Sequence, residues 1–245
     1  MTGTATEHSQ TIAKYKEYVA TSFVASVEPV VVDHADGSRV WDADGTEYID
    51  CFAGIAVTNS GHRNPKVIEA AKAQMDKLVH AATYIYHVPV VADCAEKLAQ
   101  ISPGKLSKTF FGNSGAEGIE TALRMAKAYT GKREIISLTH SFHGRTNATL
   151  AITGNMQRKT NGGPYMSGVA FAPAPYVYRN PFNTNDPEVV AEKCAEMVEW
   201  AINYQSSGDV AAFITEGLWG EGGIIVPPQS YFKRVKEVCD RHGIL

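Results

Sequence analysis

The 245-residue sequence is first informative for what it lacks. It has no long basic run, and a formal net charge of −3 argues against a dedicated nucleic-acid binder. No apolar run approaches the ~18 residues that a membrane span requires. The opening, MTGTATEHSQ, lacks the basic-then-apolar order of a secretory leader. Cysteine is scarce: Cys51, Cys94, Cys194 and Cys239. None of these forms a CxxC pair, so neither a zinc knuckle nor a disulfide framework is indicated. A reducing cytoplasm is the expected setting. Repeats, low-complexity tracts and evident linkers are absent too. At 44% hydrophobic and 20% charged, the composition is that of an ordinary globular protein with a sizeable core.

What is present is a change of rhythm along the chain. Residues 10–22 (QTIAKYKEYVATS) read as an amphipathic helix. VVVDH, SRVWDADG and TEYIDCF read as short strands, with an Asp-Gly hairpin turn in DADG at 42–45. From about residue 64, helices and strands alternate. NPKVIEAAKAQMDKL has Asn64 as N-cap and Pro65 at the first helical position. PVVADCAEKLAQIS is a second helix, KTFFG a short strand, and SGAEGIETALRMAKAYTG a helix. Ile119, Ala122, Leu123 and Ala126 mark the expected buried face of that helix. REIISL is a strand. DPEVVAEKCAEMVEWAINY is a helix capped by Asp186, with Val190, Cys194, Met197 and Ala201 as its stripe. DVAAFITE is apolar on both faces, as in a parallel sheet covered by helices. PPQSYFKRVKEVCDRHG is a helix closed by Gly243. Ile244 and Leu245 then read as the first residues of another buried strand, so the chain is expected to be a piece of a longer one.

Two clusters carry chemistry. In FFGNSGAEGIE, Ser114-Gly115-Ala116-Glu117 fits a capping box: Ser114 accepts from the Glu117 N–H, and Glu117 reaches back. That accounts for Ser and Glu. It does not account for Gly112, Gly115 and Gly118. Small residues at a helix N-terminus also leave N–H groups open for an anion such as phosphate. This is neither a Walker loop nor a GxGxxG fingerprint. The second cluster is His140-Ser141-Phe142-His143-Gly144-Arg145-Thr146, at the expected C-terminal end of REIISL, where α/β sheets bind ligands. Phe142 suits a flat ring, and Arg145 suits a carboxylate. Taken singly, a Phe is more often core and an Arg more often surface. Together with the anion turn they fit a phosphorylated aromatic cofactor beside an acidic substrate.

At this point the sequence resembles a known family. NSGAE-x-x-E, FHGRT, EGLWGEGGIIVPP-x-x-Y and HGIL, in this order, resemble the class III aminotransferases, as does WDADGTEYIDCFAGIAVTNSGHRNPKVIEA. The resemblance covers nearly all the chain after about residue 25. It implies an α/β, fold type I architecture with pyridoxal 5′-phosphate as cofactor: a large domain with a mostly parallel sheet flanked by helices. Residues 1–63 would then be an N-terminal segment of the small domain, and 64–245 an incomplete cofactor-binding large domain.

By the same resemblance, Ser114, Gly115 and Ala116 form the phosphate turn, Phe142 stacks on the cofactor ring and His143 supports it. Glu216 lies near the cofactor. Ile55 lines the substrate pocket, and Arg145 holds a carboxylate distant from the amine. Glu221 pairs with a later arginine, closed for ω-amino donors and opened for the α-carboxylate of glutamate or 2-oxoglutarate. Tyr84 and Tyr86 lie where the family faces a partner subunit. The family's Glu-Pro-x-Gln/Met-Gly-Glu reads Glu216-Gly217-Leu218-Trp219-Gly220-Glu221 here, and Trp219 either narrows the pocket or packs beneath it. The family's cofactor-bearing lysine lies beyond Leu245; neither Lys105 nor Lys108 matches it, and the chain alone is expected not to transaminate. FHGRT and GEGG most resemble 4-aminobutyrate and other ω-amino acid aminotransferases acting as cytoplasmic homodimers on small amino acids and 2-oxo acids. A racemase or epimerase of the same class, or a non-catalytic cofactor- or partner-binding chain, are the alternatives.

Overall fold

The computed structural model describes residues 7–21, 27–160 and 162–245, which fall in two units, Met1–Glu96 and Lys97–Leu245. The first begins with helix α1 (Glu7–Tyr18), starting earlier than expected; Ser22, the end of the expected helix, lies outside the described residues. Strands β1 (Val32–Asp36), β2 (Arg39–Asp42) and β3 (Glu47–Ile49) then form an antiparallel meander in the order β1-β2-β3. The Asp-Gly turn holds because Asp42 is buried with its carboxylate turned into it. Its Oδ1 accepts from the N–H groups of Asp44 (3.0 Å) and Thr46 (2.8 Å), and its Oδ2 from the Tyr48 hydroxyl (2.9 Å). Next comes α2 (Ala53–Ala56), a single turn in which all four residues have positive φ, Ile55 at +63°. Its entry is pinned by Asp50, whose carboxylate accepts from the N–H groups of Phe52 and Ala53 and meets His62 Nε2 at 2.6 Å. Helices α3 (Pro65–Lys77), capped by the Asn64 side chain as expected, and α4 (Pro89–Ile101) bury none of their residues. The first unit also leaves Ile49, Phe52, Val57 and Val79 exposed.

The second unit is built on three parallel strands in the order β5-β4-β6: β4 (Glu134–Leu138), β5 (Val169–Ala172) and β6 (Val210–Phe213). Side chains alternate between faces, yet both faces are apolar. Ile136 and Leu138 pack with α7 (Pro187–Tyr204) and α8 (Tyr231–His242). Ile135, Ala211 and Ala212 pack on the opposite side with Leu123 of α5 (Gly115–Thr130) and Ile152 of the short helix α6 (Asn147–Ile152). Beyond Gly243, Leu245 donates to Ala211 O (3.2 Å) and accepts from Phe213 N–H (2.9 Å), while Ile244 is buried. The chain's last residues thus run alongside β6, as their apolar character suggested.

Some expectations fail. KTFFG is not a strand: residues 108–112 are irregular, Phe110 and Phe111 are exposed, and no described strand pairs with them. Ala122 is exposed, so the buried face of α5 is centred on Leu123 and flanked by Ile119 and Ala126. Helix α8 begins at Tyr231, after the two prolines, because Pro228 contributes only its carbonyl, to the Tyr231 N–H. Strand β5 was not anticipated; its four residues run straight into the proline-rich APAP.

Candidate active site

Four segments of the second unit converge. The N-terminus of α5 is the first. Ser114 is extended and its Oγ accepts from the Glu117 N–H at 3.2 Å, as a cap should. Glu117 reaches back one residue further than a capping box requires. Its Oε2 accepts from the Asn113 N–H (2.5 Å) and side-chain amide (3.0 Å) instead of from Ser114. A Cβ at Gly112 would lie 3.3 Å from that oxygen, so the glycine makes room for the folded-back carboxylate. At Gly115 and Gly118 an added Cβ would meet nothing within 4 Å. By helix geometry the N–H groups of Gly115 and Ala116 have no carbonyl partner inside α5. They form an open, positively polarised end.

The second segment follows β4. Ser141 is buried; its Oγ donates to Leu138 O (2.7 Å) and accepts from the Gly154 N–H (2.9 Å). Phe142 donates its N–H to Glu216 Oε1 (2.9 Å), and His143 donates its own to Thr153 Oγ1 (3.1 Å). Each residue of this turn is therefore tied down separately. His143 is 7% exposed and its Nε2 has no partner among the described residues; burial pushes its pKa down to about 4 and keeps it neutral. Gly144 has a φ of +135°, and a Cβ there would stand 2.8 Å from the Ala116 Cβ and 2.7 Å from Thr149 Oγ1. The FHGRT turn is thus pressed directly against the first turn of α5. Glu120 strengthens the joint: its Oε1 accepts from Thr146 Oγ1 (2.5 Å) and the Ala148 N–H (3.2 Å) at the start of α6. The Arg145 guanidinium lies 5.9 Å from the centre of the Phe142 ring.

The remaining segments are the Gly-rich loop after β6 and the 3₁₀ turn Met156–Lys159. Glu216 accepts from Gly220 N–H through Oε2 (3.1 Å) while its Oε1 holds Phe142. Trp219 is fully buried in the core beneath the loop, and its backbone pairs with Ile225, so it packs beneath. Glu221 has an acceptor role inside this chain: its Oε1 binds Arg158 Nε and the Asn155 side-chain amide (3.2 Å). Sequence reasoning missed Arg158, Asn155 and the joint made by Glu120. Glu120 at least stood in the NSGAE-x-x-E motif, whereas NMQRK offers no pattern that marks Arg158.

The turn Ser114–Ala116, Phe142–Arg145, Glu216 and Glu221 all belong to the second unit. Ile55 belongs to the first, on its left-handed turn, with its side chain exposed; Tyr84 and Tyr86 are exposed there too. Among the described residues there is no cluster of His, Cys, Asp and Glu suited to a metal ion, and no helix is long and apolar enough to cross a membrane. Lys105 and Lys108 are exposed. Burial lowers the pKa of Lys159, but its ammonium is committed to Ala151 O (3.0 Å) and the Phe171 ring.

The chain is similar to known proteins in sequence and in fold. The family described as "Aminotransferase class-III" matches residues 22–245. A 5-aminovalerate aminotransferase of Pseudomonas aeruginosa is 34% identical over 238 residues, covering 97% of this chain and 54% of that protein. A leucine/methionine racemase of Thermococcus litoralis is 37% identical, covering 96% of this chain and 53% of its own length. Among solved structures, an (S)-enantioselective omega-transaminase from Thermomicrobium roseum superposes with a TM-score of 0.89 at 29% identity, over 99% of this chain and 56% of that one. The chain spans about half the length of the curated relatives it matches. It belongs to the class III aminotransferases, whose cofactor is pyridoxal 5′-phosphate.

Proposed function

We propose that this chain supplies the cofactor- and carboxylate-binding part of an enzyme that moves an amino group from an ω-amino acid, of the 4-aminobutyrate type, to a 2-oxo acid such as 2-oxoglutarate. The observation that carries this reading is the seat of Gly144 on Ala116. It joins an anion-binding helix end to an aromatic side chain and a fixed cation within one turn.

The residues present fit the cofactor. The open N–H groups of Gly115 and Ala116, beside Ser114, suit its phosphate. Phe142 offers a face for its ring, and neutral, buried His143 supports that face without adding charge. Pyridoxal phosphate supplies an aldehyde for the amine and a ring that withdraws electrons from the reacting carbon. The chain's contribution is to bind, orient and select. Arg145, exposed at the edge of the Phe142 ring, holds the carboxylate of an ω-amino acid away from its amine. Glu221, neutralised by Arg158, adjusts the site to the second carboxylate of the 2-oxo acid. Glu216 belongs to the cofactor end of the site. Exposed Tyr84 and Tyr86 fit a face turned to a partner subunit in a homodimer.

The test uses the protein that carries this sequence at the length of its relatives. 4-Aminobutyrate or 5-aminovalerate is supplied with 2-oxoglutarate, and glutamate is measured. Glutamate formation that falls about a hundredfold in Arg145→Met supports the reading. A second reading, racemisation, rests on the similarity to the leucine/methionine racemase. Loss of chirality of an α-amino acid without consumption of a 2-oxo acid would decide for it.

A further inference from the structure

Glu216 binds backbone, and it does so with both oxygens. Oε1 takes the Phe142 N–H at 2.9 Å and Oε2 takes the Gly220 N–H at 3.1 Å. Phe142 stands 74 positions earlier in the chain, so the carboxylate is a long-range joint. The two loops also meet where a Cβ on Gly222 would come within 2.5 Å of His140 O. Around Phe142 the other anchors are already assigned: Ser141 is held by Leu138 and Gly154, His143 by Thr153. The Phe142 N–H has the Glu216 carboxylate as its acceptor. A hydrogen bond to a charged acceptor is among the stronger ones, and an unpaired N–H at this part-buried position is costly.

We propose that Glu216 is a positioning residue: it acts on the cofactor through Phe142, by fixing the backbone that aims the aromatic ring. This rests on the reading of Phe142 as the residue that stacks on the cofactor. It departs from a direct role for Glu216 at the cofactor, because the oxygens that would make such contacts are already bridging two loops.

The test is a double-mutant cycle on the 245-residue chain with 4-deoxypyridoxine 5′-phosphate as probe. This compound has the ring and the phosphate but no aldehyde, so its binding needs no lysine. Affinity is read by titration, and ring orientation by the circular dichroism induced in the probe's absorption band. Glu216→Gln keeps the shape, loses one acceptor and presents an amide to a donor. It is expected to weaken binding about tenfold and to diminish the induced signal. In a Phe142→Leu background the same change is expected to cost less than about twofold, since there is no ring left to aim. Equal costs in the two backgrounds, or no cost in either, overturn the proposal. If Glu216→Gln fails to fold, Glu216→Asp carries the cycle, because its carboxylate is one methylene too short for both N–H groups. No binding by the unsubstituted chain overturns the cofactor reading, and the proposal falls with it. That result differs from binding that is indifferent to Glu216.

Discussion

Replacing Gly144 by alanine tests the joint on which the site depends. Two costs add. The φ of +135° is a conformation that L side chains rarely adopt, and holding one there costs on the order of 1–3 kcal/mol. The new methyl would also overlap Thr149 Oγ1 at 2.7 Å, the Ala116 Cβ at 2.8 Å and the Thr149 Cβ at 3.0 Å. These are short, rigid groups that cannot swing away. Overpacking of this kind adds roughly 1–3 kcal/mol. The sum is about 2–6 kcal/mol, a large share of the ~5–15 kcal/mol that ordinarily separates folded from unfolded. The assay is equilibrium urea unfolding followed by tryptophan fluorescence in a Trp41→Phe, Trp200→Phe background, which leaves Trp219, buried in the core beneath the same loop system, as the reporter. A companion substitution separates the two costs. Ala116→Gly removes one of the overlapping methyls, so Gly144→Ala combined with it should recover about 1 kcal/mol relative to the sum of the single changes. A loss below ~1 kcal/mol for Gly144→Ala, or strict additivity with Ala116→Gly, would mean that the FHGRT turn does not rest on α5.

Other parts of the structure give independent tests. His143 is neutral with a pKa of about 4, against about 6.5 when unfolded, so between these values the unfolded chain binds the extra proton and stability falls as pH drops. The window is worth about 3 kcal/mol in total; the pH dependence of unfolding free energy should be shallower in His143→Asn, and an unchanged slope would contradict this burial. Ile55→Gly should stabilise the first unit by about 1 kcal/mol, because a left-handed φ of +63° suits glycine and the exposed side chain buries little; a lower thermal midpoint would argue against the turn. Arg158→Ala and Glu221→Gln should be coupled by about 0.5–1 kcal/mol in a stability cycle, as befits a partly exposed pair, with the coupling reduced at 1 M salt; zero coupling would release Glu221 from its in-chain partner.

The order of elements in the second unit was legible because its helices carry strong local signals. Asp186 and Pro187 fix the start of α7, and a stripe with Val190 and Cys194 fully buried fixes its face. Strand β6, apolar on both faces, announced a covered parallel sheet. What was not legible depends on contacts between distant segments. KTFFG has the composition of a strand, yet a strand exists only where a neighbour pairs with it, and composition does not say which neighbours are present. Ala122 lies three residues from Ile119 and four from Ala126, yet it is exposed while those two pack beside buried Leu123. The site shows the same division. Ser114 as a cap and the small residues around it could be read locally, whereas the partner of Glu221 lies 63 positions away in a segment with no pattern of its own.

The glutamates resolve what first looks like a contradiction, an anion site crowded with carboxylates. Glu117, Glu120, Glu216 and Glu221 all come from the segments that build the site. Each has its carboxylate turned onto donors: Glu117 onto Asn113, Glu120 onto Thr146 and Ala148, Glu216 onto Phe142 and Gly220, Glu221 onto Arg158 and Asn155. Donor dipoles and the Arg158 guanidinium offset much of the negative field locally, so these charges act as joints within and between loops. Glu117 is the sharpest case. As the third residue of α5 it could have lain across the N–H groups that suit a phosphate. Gly112 gives it a path backwards instead, and the N–H groups of Gly115 and Ala116 stay open. The small residues of GNSGAEG therefore do different work at different positions: Gly112 clears a charge from the helix end, and Gly115 leaves space where an anion would sit. If that separation is right, Gly112→Val should push the Glu117 carboxylate back toward the open N–H groups. Inorganic phosphate affinity would then fall several-fold more than in Gly112→Val combined with Glu117→Gln, where no charge remains to be displaced. Equal affinities in the two variants would leave Glu117 an ordinary cap and Gly112 without this role.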